Sequence, residues 1–280
     1  LKEVILRIGE RLSSSQSSGP KEGTELRKKS IALRQREVLF FIPIILFAAG
    51  LSAACGGTEE EEAASPAAQP VETAREISGA DLQQMVLRQA DLGSAYASFT
   101  LDEESGFVSK DQRAEMAFNP ADEKRDLDRF GYVNSYAESY SEPTLTEPNA
   151  SLPAEGPISI DTEVLLFDEA DQAGGYLADD LADSKGDVGA AASGGRVESF
   201  EEFGVVSIGD EAWGGRLVLV VSDESGEEIR FHFTGIELQR GQMVGFVVIL
   251  LVDDENVADE VISLARKLDE RIKAVLAEEA

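Results

Sequence analysis

One cysteine, one histidine and one tryptophan occur in 280 residues, and basic side chains are scarce: 25 Lys and Arg stand against 54 Asp and Glu. Each shortage excludes something. A single cysteine, Cys55, cannot form an intramolecular disulfide or a thiolate zinc cluster. A single histidine, His232, argues against zinc, haem and Ser-His-Asp hydrolysis. No G-x-S-x-G, H-E-x-x-H or P-loop pattern occurs. No cofactor and no metal is therefore expected. Asp179, Asp180, Asp183 and Asp187 cluster near one expected helix end, but they lack EF-hand spacing.

The charge is unevenly distributed. Residues 1–54 carry nine basic and five acidic side chains, so the remainder carries 16 and 49, a net −33. A segment this acidic is soluble and repelled by phosphate backbones, which excludes nucleic acid as a partner.

One long apolar run is present. Val38–Leu51 reads VLFFIPIILFAAGL, 14 residues without a charge. Arg27, Lys28, Lys29, Arg34 and Arg36 precede it; Ser52, Ala53, Ala54 and Cys55 follow it. Basic residues, an apolar stretch and then small residues form the secretory signal pattern. The run is short of the roughly 20 apolar residues a membrane span needs. Extended through Ala54 it would make a marginal span, so an uncleaved single-span anchor is the competing expectation. Residues 1–26 begin with Leu and include SSSQSSGP; they are read as a spurious upstream extension.

LSAACGG resembles the lipobox of bacterial lipoproteins, with Ala53, Ala54 and Cys55 matching and Ser52 where leucine is usual. The resemblance implies that Cys55 receives diacylglycerol, with acyl chains such as palmitate, and that the chain is cut just before it. The protein would then sit outside the cell membrane on a lipid anchor. Residues 55–77 follow as the acylated cysteine and a tether, rich in Glu, Pro and Ala. The tether has too little apolar surface to offset its ordering entropy. Residues 78–280 are expected to be one extracytoplasmic domain.

Periodicity within that domain predicts helices over 80–90, 110–118, 120–130 and 168–183, with Gly93 and Gly131 as stops. Gly174-Gly175 would let the last of these approach the sheet closely. Tyr132, Tyr136 and Tyr140 alternate along a predicted strand and are expected on one face. Ile158–Phe167 is the next strand, residues 185–195 a loop, and Arg216–Ser222 a strand. Ile229–Gln239 and Gln242–Val252 form a hairpin, with the doubly apolar Val247–Val252 as a central strand. Asn256 caps a last helix with the stripe Val257, Val261, Leu264, Ala265, Leu268, Ile272, Val275 and Leu276.

The expected class is α+β: an antiparallel sheet, helices packed on one face, and two loosely similar halves, each ending strand-to-helix. This order, with VLLFDEADQA (164–173) and LQRGQMVGFVV (238–248), resembles extracytoplasmic sensor-like domains of actinobacterial lipoproteins and receptor kinases. That resemblance implies a non-enzymatic domain binding a ligand or partner protein. It transfers no residue roles. The candidate ligand-binding residues are Trp213, Tyr132, Tyr136 and Tyr140, with core packing as their plainer role. His232, between Phe231 and Phe233, is expected to point away from those rings. The alternative function is a surface hydrolase using paired carboxylates, which a close, buried pair in a cleft would favour.

Overall fold

The computed structural model describes residues 76–115, 120–143, 156–192, 195–222, 228–252 and 254–277. Cys55, the apolar run and the tether up to Arg75 lie outside them. So do the last residues of the helix expected over 110–118.

Ser78 opens the described chain with a capping box: Asp81 N–H meets its hydroxyl, and its own N–H donates to Asp81 Oδ2 at 2.7 Å. Helix α1 follows, Gly79–Met85. The single helix expected over 80–90 breaks here. Val86 is extended, which ends the helix, and both Val86 and Leu87 are fully buried. Arg88 N–H then meets Asp91 Oδ2 at 2.8 Å and starts α2, Gln89–Leu92. A 3-10 turn at Ser94–Tyr96 leads to β1 (Thr100–Leu101) and β2 (Gly106–Val108). Next come α3 (Lys110–Glu115) and α4 (Pro120–Arg129), then Gly131 at φ 65, the predicted stop.

Strands β3 (Tyr132–Ser141) and β4 (Pro157–Phe167) precede α5 (Ala170–Gly186), whose N-cap is Glu169, one residue past Asp168. The expected loop over 185–195 contains the end of α5 and a two-residue strand, β5 (Ala191–Ala192). Strands β6 (Gly195–Phe203), β7 (Glu211–Ser222), β8 (Glu228–Arg240) and β9 (Met243–Leu251) follow, and α6 (Ala258–Ala277) closes the described chain. Asn256 Oδ1 accepts the Ala258 N–H at 3.0 Å, as its position before the stripe predicts.

The nine strands described here form one sheet in the order β1-β3-β4-β9-β8-β7-β6-β5, with β2 also on β3, and every pairing is antiparallel. The α+β class and the antiparallel sheet are as expected, and β9 is central. The helices differ from expectation: they cover both faces. Helix α6 buries Val261, Leu264, Leu268 and Ile272 in one core with Met243, Val247 and Ile249 of β9. Helix α5 buries Ala173 and Leu177 in another with Val244, Phe246 and Val248. Alternate residues of one strand thus feed two cores, which is why β9 is apolar throughout. The strand–helix units β4–α5 and β9–α6 therefore share element order but place their helices on opposite faces.

Both sheet edges are irregular. Residues 102–105 interrupt the pairing of β1 and β2 with β3, exposing Glu103 and Glu104. On the other side β6 carries Arg196, Glu198, Glu201 and Glu202, with Glu198 paired to Arg230 at 3.0 Å.

A charged constellation beneath helix α5 as the candidate functional site

Strand register sets the floor of the site. Ala137 pairs with Glu163, Glu163 with Phe246, Phe246 with Glu237, and Glu237 with Trp213. These five residues form one row across β3, β4, β9, β8 and β7. Phe246 and Trp213 belong to the core under α5, so the whole row faces that helix.

The roof comes from α5, where Tyr176 and Asp180, four residues apart, share a helix face. Gln239 Nε2 pins the first turn of α5 by donating to Ala170 O at 2.7 Å. A Cβ on Gly174 would stand 2.9 Å from Gln239 Oε1, and one on Gly175 2.9 Å from the Phe130 ring. The glycine pair thus permits the close approach that the sequence suggests.

Arg113 enters from α3. Its Nη1 donates to Glu163 Oε1 at 2.7 Å and its Nη2 to the Tyr176 hydroxyl at 3.2 Å. Its Nε lies 4.0 Å from Glu123 Oε1 of α4. Ser135 also donates to Glu163 Oε1. The Tyr132 hydroxyl donates to Val108 O at 2.7 Å. Every hydrogen bond to a buried charge here is charge-assisted and strong, and losing one partner would leave the other uncompensated.

Glu237 is another buried carboxyl of this layer. It is 5% exposed, and its acidic neighbour is Asp180. Burial pushes its carboxyl well above the ordinary carboxylate range; the charge and hydrogen bond of Asp180 push the same way, and Arg113 opposes. Trp213, 7% exposed, has its Nε1–H buried without a hydrogen-bond partner among the described residues.

A second polar cluster lies near the β3 edge. Ser139 donates towards Asp102 and Asp161, Ser141 to Asp102 at 2.6 Å, and Ser159 to Asp161 at 3.0 Å. No group of three or more His, Cys, Asp or Glu arranged to hold a metal ion occurs among the described residues.

The sequence candidates are separated. A β-bulge between Tyr132 and Asn134 reverses the alternation, so the three tyrosines do not share a face. Tyr132 joins the α5-side core, while Tyr136 and Tyr140 join the α6-side core. Tyr136 accepts a hydrogen bond from Gln83 Nε2 at 3.1 Å and packs edge-on against Phe107, whose ring is 55% exposed. Tyr140 donates to Glu138; burial, then that bond and charge, raise its phenol pKa above the usual range. Trp213 stands with Tyr132 on the α5 side but with three strands between them, in the extended strand β7. The expected strand began only at Arg216. It starts at Glu211 because Gly214 and Gly215 leave room for the rings of Phe203 and Phe200.

His232 does point away from Phe231 and Phe233, into the layer under α6. There its Nδ1 lies 3.2 Å from Arg216 Nη2, which also donates to Asp254 at 2.6 Å. Of the acidic cluster, Asp179 turns to Arg129 and Asp180 to Glu237. The alternation pattern does not single out Glu163, Glu237 or Arg113. The available signal was parity: Glu237 has the phase of Phe231 and Phe233, so a carboxyl is forced to face inward.

No family model and no curated protein sequence matches the chain. Among solved structures, the extracellular domain of PknH from Mycobacterium tuberculosis aligns with 72% of this chain and 99% of its own, at 12% identity and a TM-score of 0.46. A protein of unknown function from Pseudomonas aeruginosa, PA94, aligns with 39% of this chain and 69% of its own, at 15% identity and a TM-score of 0.23. Likenesses at these values do not bear on activity.

Proposed function

We propose that the chain is an extracytoplasmic protein held at the outer face of the cell membrane by diacylglycerol on Cys55, with a domain that binds a ligand or partner protein. One observation carries this reading. The only cysteine follows a charge-free apolar run that basic residues precede, with Ser52, Ala53 and Ala54 between run and cysteine. The acidic tether supports it, since like charges and prolines keep a spacer extended. No helix among the described residues is long and apolar enough to cross a membrane. For binding, Tyr136 is the aromatic candidate in contact with an exposed ring, Phe107, at the sheet edge.

Mass spectrometry of the protein purified from bacterial membranes tests the anchor. A diacylglycerol adduct on Cys55 is expected, with loss of membrane retention in Cys55→Ala. Unmodified Cys55 in membrane-derived protein would overturn it. For binding, a thermal-shift screen on the full chain in detergent should find a compound that raises Tm in wild type and fails to do so in Phe107→Ala.

A second reading, a carboxylate hydrolase, is favoured by the burial of Glu237 in the neighbourhood of a second carboxyl, Asp180. A buried carboxyl raised by desolvation, with a second carboxyl near it, is a general-acid arrangement. Glu237 is buried, so substrate reaches it only if α5 lifts. Turnover of an ester or glycoside panel that is lost in Glu237→Gln would establish this reading over the first.

A further inference from the structure

Strand β6 is paired with β7 along its length, but its outer side is covered only at the start. Ala192 and Ala191 pair with Gly195 and Arg196. Val197 accepts a hydrogen bond from Gly189 at 2.8 Å and donates one to Ala190 at 3.0 Å. From Ser199 to Phe203 the register with β7 is unbroken, and no strand among the described residues lies on the other side. Along such an edge, alternate amide and carbonyl groups point outward and can pair with another chain. The opposite margin offers no run of this length: β1 has two residues and β2 three.

We propose that Ser199–Phe203 takes up an extended, cationic segment of a partner polypeptide as a further strand. Charge and side-chain alternation select that occupant. Phe200 belongs to the α5-side core and Phe203 to the α6-side core, so Glu202 lies on the first face and Glu201 on the second. A neighbour alongside these four residues meets acid at the two middle positions and an apolar ring at the two outer ones. Cross-strand pairing rewards opposite charge at the former and apolar side chains at the latter, so the order required is apolar, basic, basic, apolar. Both glutamates are exposed and both rings only partly buried, with Phe200 edge-on to Trp213 at 6.0 Å. Lys185 meets Glu202 at 2.6 Å, but both side chains are about half exposed, so the pair is weak and a partner's cation can replace it.

A second copy of this chain is the wrong occupant. Two such edges aligned antiparallel about Phe200 set Glu198 against Glu202; aligned about Glu201 or Glu202, that residue meets itself. Like charges directly opposite are destabilising. The net −33 of residues 55–280 adds repulsion at longer range. The edge therefore repels its own copies and accepts a strand of opposite charge. This holds independently of the lipid anchor and of Phe107.

The full chain in detergent is titrated with the end-blocked hexapeptide Thr-Val-Lys-Lys-Val-Thr, whose palindromic order suits either strand direction. Affinity is measured by calorimetry at low and high salt, and amide exchange is followed at β6 and β2. Expected is saturable binding that adds protection over Ser199–Phe203 and leaves Gly106–Val108 unchanged. It should weaken with salt and fall by about tenfold for Thr-Val-Glu-Glu-Val-Thr. The fully N-methylated lysine peptide, which keeps its charge and lacks backbone donors, should not bind. Glu201→Lys with Glu202→Lys should reverse the preference between the lysine and glutamate peptides. Absence of saturable binding, protection gained outside β6, equal binding of the N-methylated peptide, or an unchanged preference in the folded double variant would each overturn the proposal. Should that variant fail to fold, the three peptides on wild type decide.

Discussion

On the α6 side of the sheet each buried acid has its counter-charge or donor. Asp269 is bound by Arg240 through three contacts of 2.8–3.1 Å and by Lys273 at 2.6 Å. On the α5 side carboxyls crowd one guanidinium. Both sides are lined by fully buried aliphatic and aromatic chains, so the difference is not one of apolar packing. It teaches where stability and adaptability reside. Satisfied ions on the α6 side lock the β8–β9 hairpin to its helix. An excess of acid on the α5 side is held only while its partners stay in place, the condition under which buried charge is costly.

The largest test of that contrast is Arg113→Ala. It should cost about 3–5 kcal/mol, because Glu163 is left buried and unpaired. Replacing the pair together, Arg113→Met with Glu163→Leu, should recover most of the loss in urea unfolding. A double variant as weak as the single one would show that the charges stabilise the fold on their own account. Leu268→Ala on the opposite face should cost about 3 kcal/mol by the same measurement, through a cavity against Gly245 and β9.

Asp269→Asn sharpens the comparison through pH. Burial raises the Asp269 carboxyl, but bonds from Lys273 and Arg240 outweigh this and hold it below the ordinary value. Its stabilisation is therefore present above the unfolded carboxylate pKa and lost as pH falls through the lower folded value. The variant should flatten the acid limb of a Tm–pH curve. Smallest of all, Asn256→Ala should lower stability by about 1 kcal/mol in thermal unfolding, by removing one cap and no core contact.

Much of the fold is readable from side-chain period. The α6 stripe, the β8–β9 hairpin and the central place of β9 follow from apolar spacing that only one structure satisfies. The split of the tyrosines is not readable, because one bulged residue at Val133 shifts the phase of everything after it and leaves composition unchanged. The second helical layer is hidden for a related reason. Ser159, Asp161 and Glu163 alternate with Ile158, Ile160 and Val164 as a solvent-facing set would, yet they lie buried, Ser159 and Asp161 in the cluster with Ser139 and Glu163 against Arg113. Polar residues facing inward look like polar residues facing water until their partners, far away in the chain, are known.

The ragged margins of the sheet have their own consequence. A terminal strand with free amide and carbonyl groups invites a neighbouring molecule to continue it. Here one margin is broken by a four-residue detour bearing two glutamates, and the other is fringed with alternating ions. Copies crowded together would meet margin to margin with neither a straight template nor a neutral one. The same features that make the outline untidy keep each molecule from becoming the seed of a fibre.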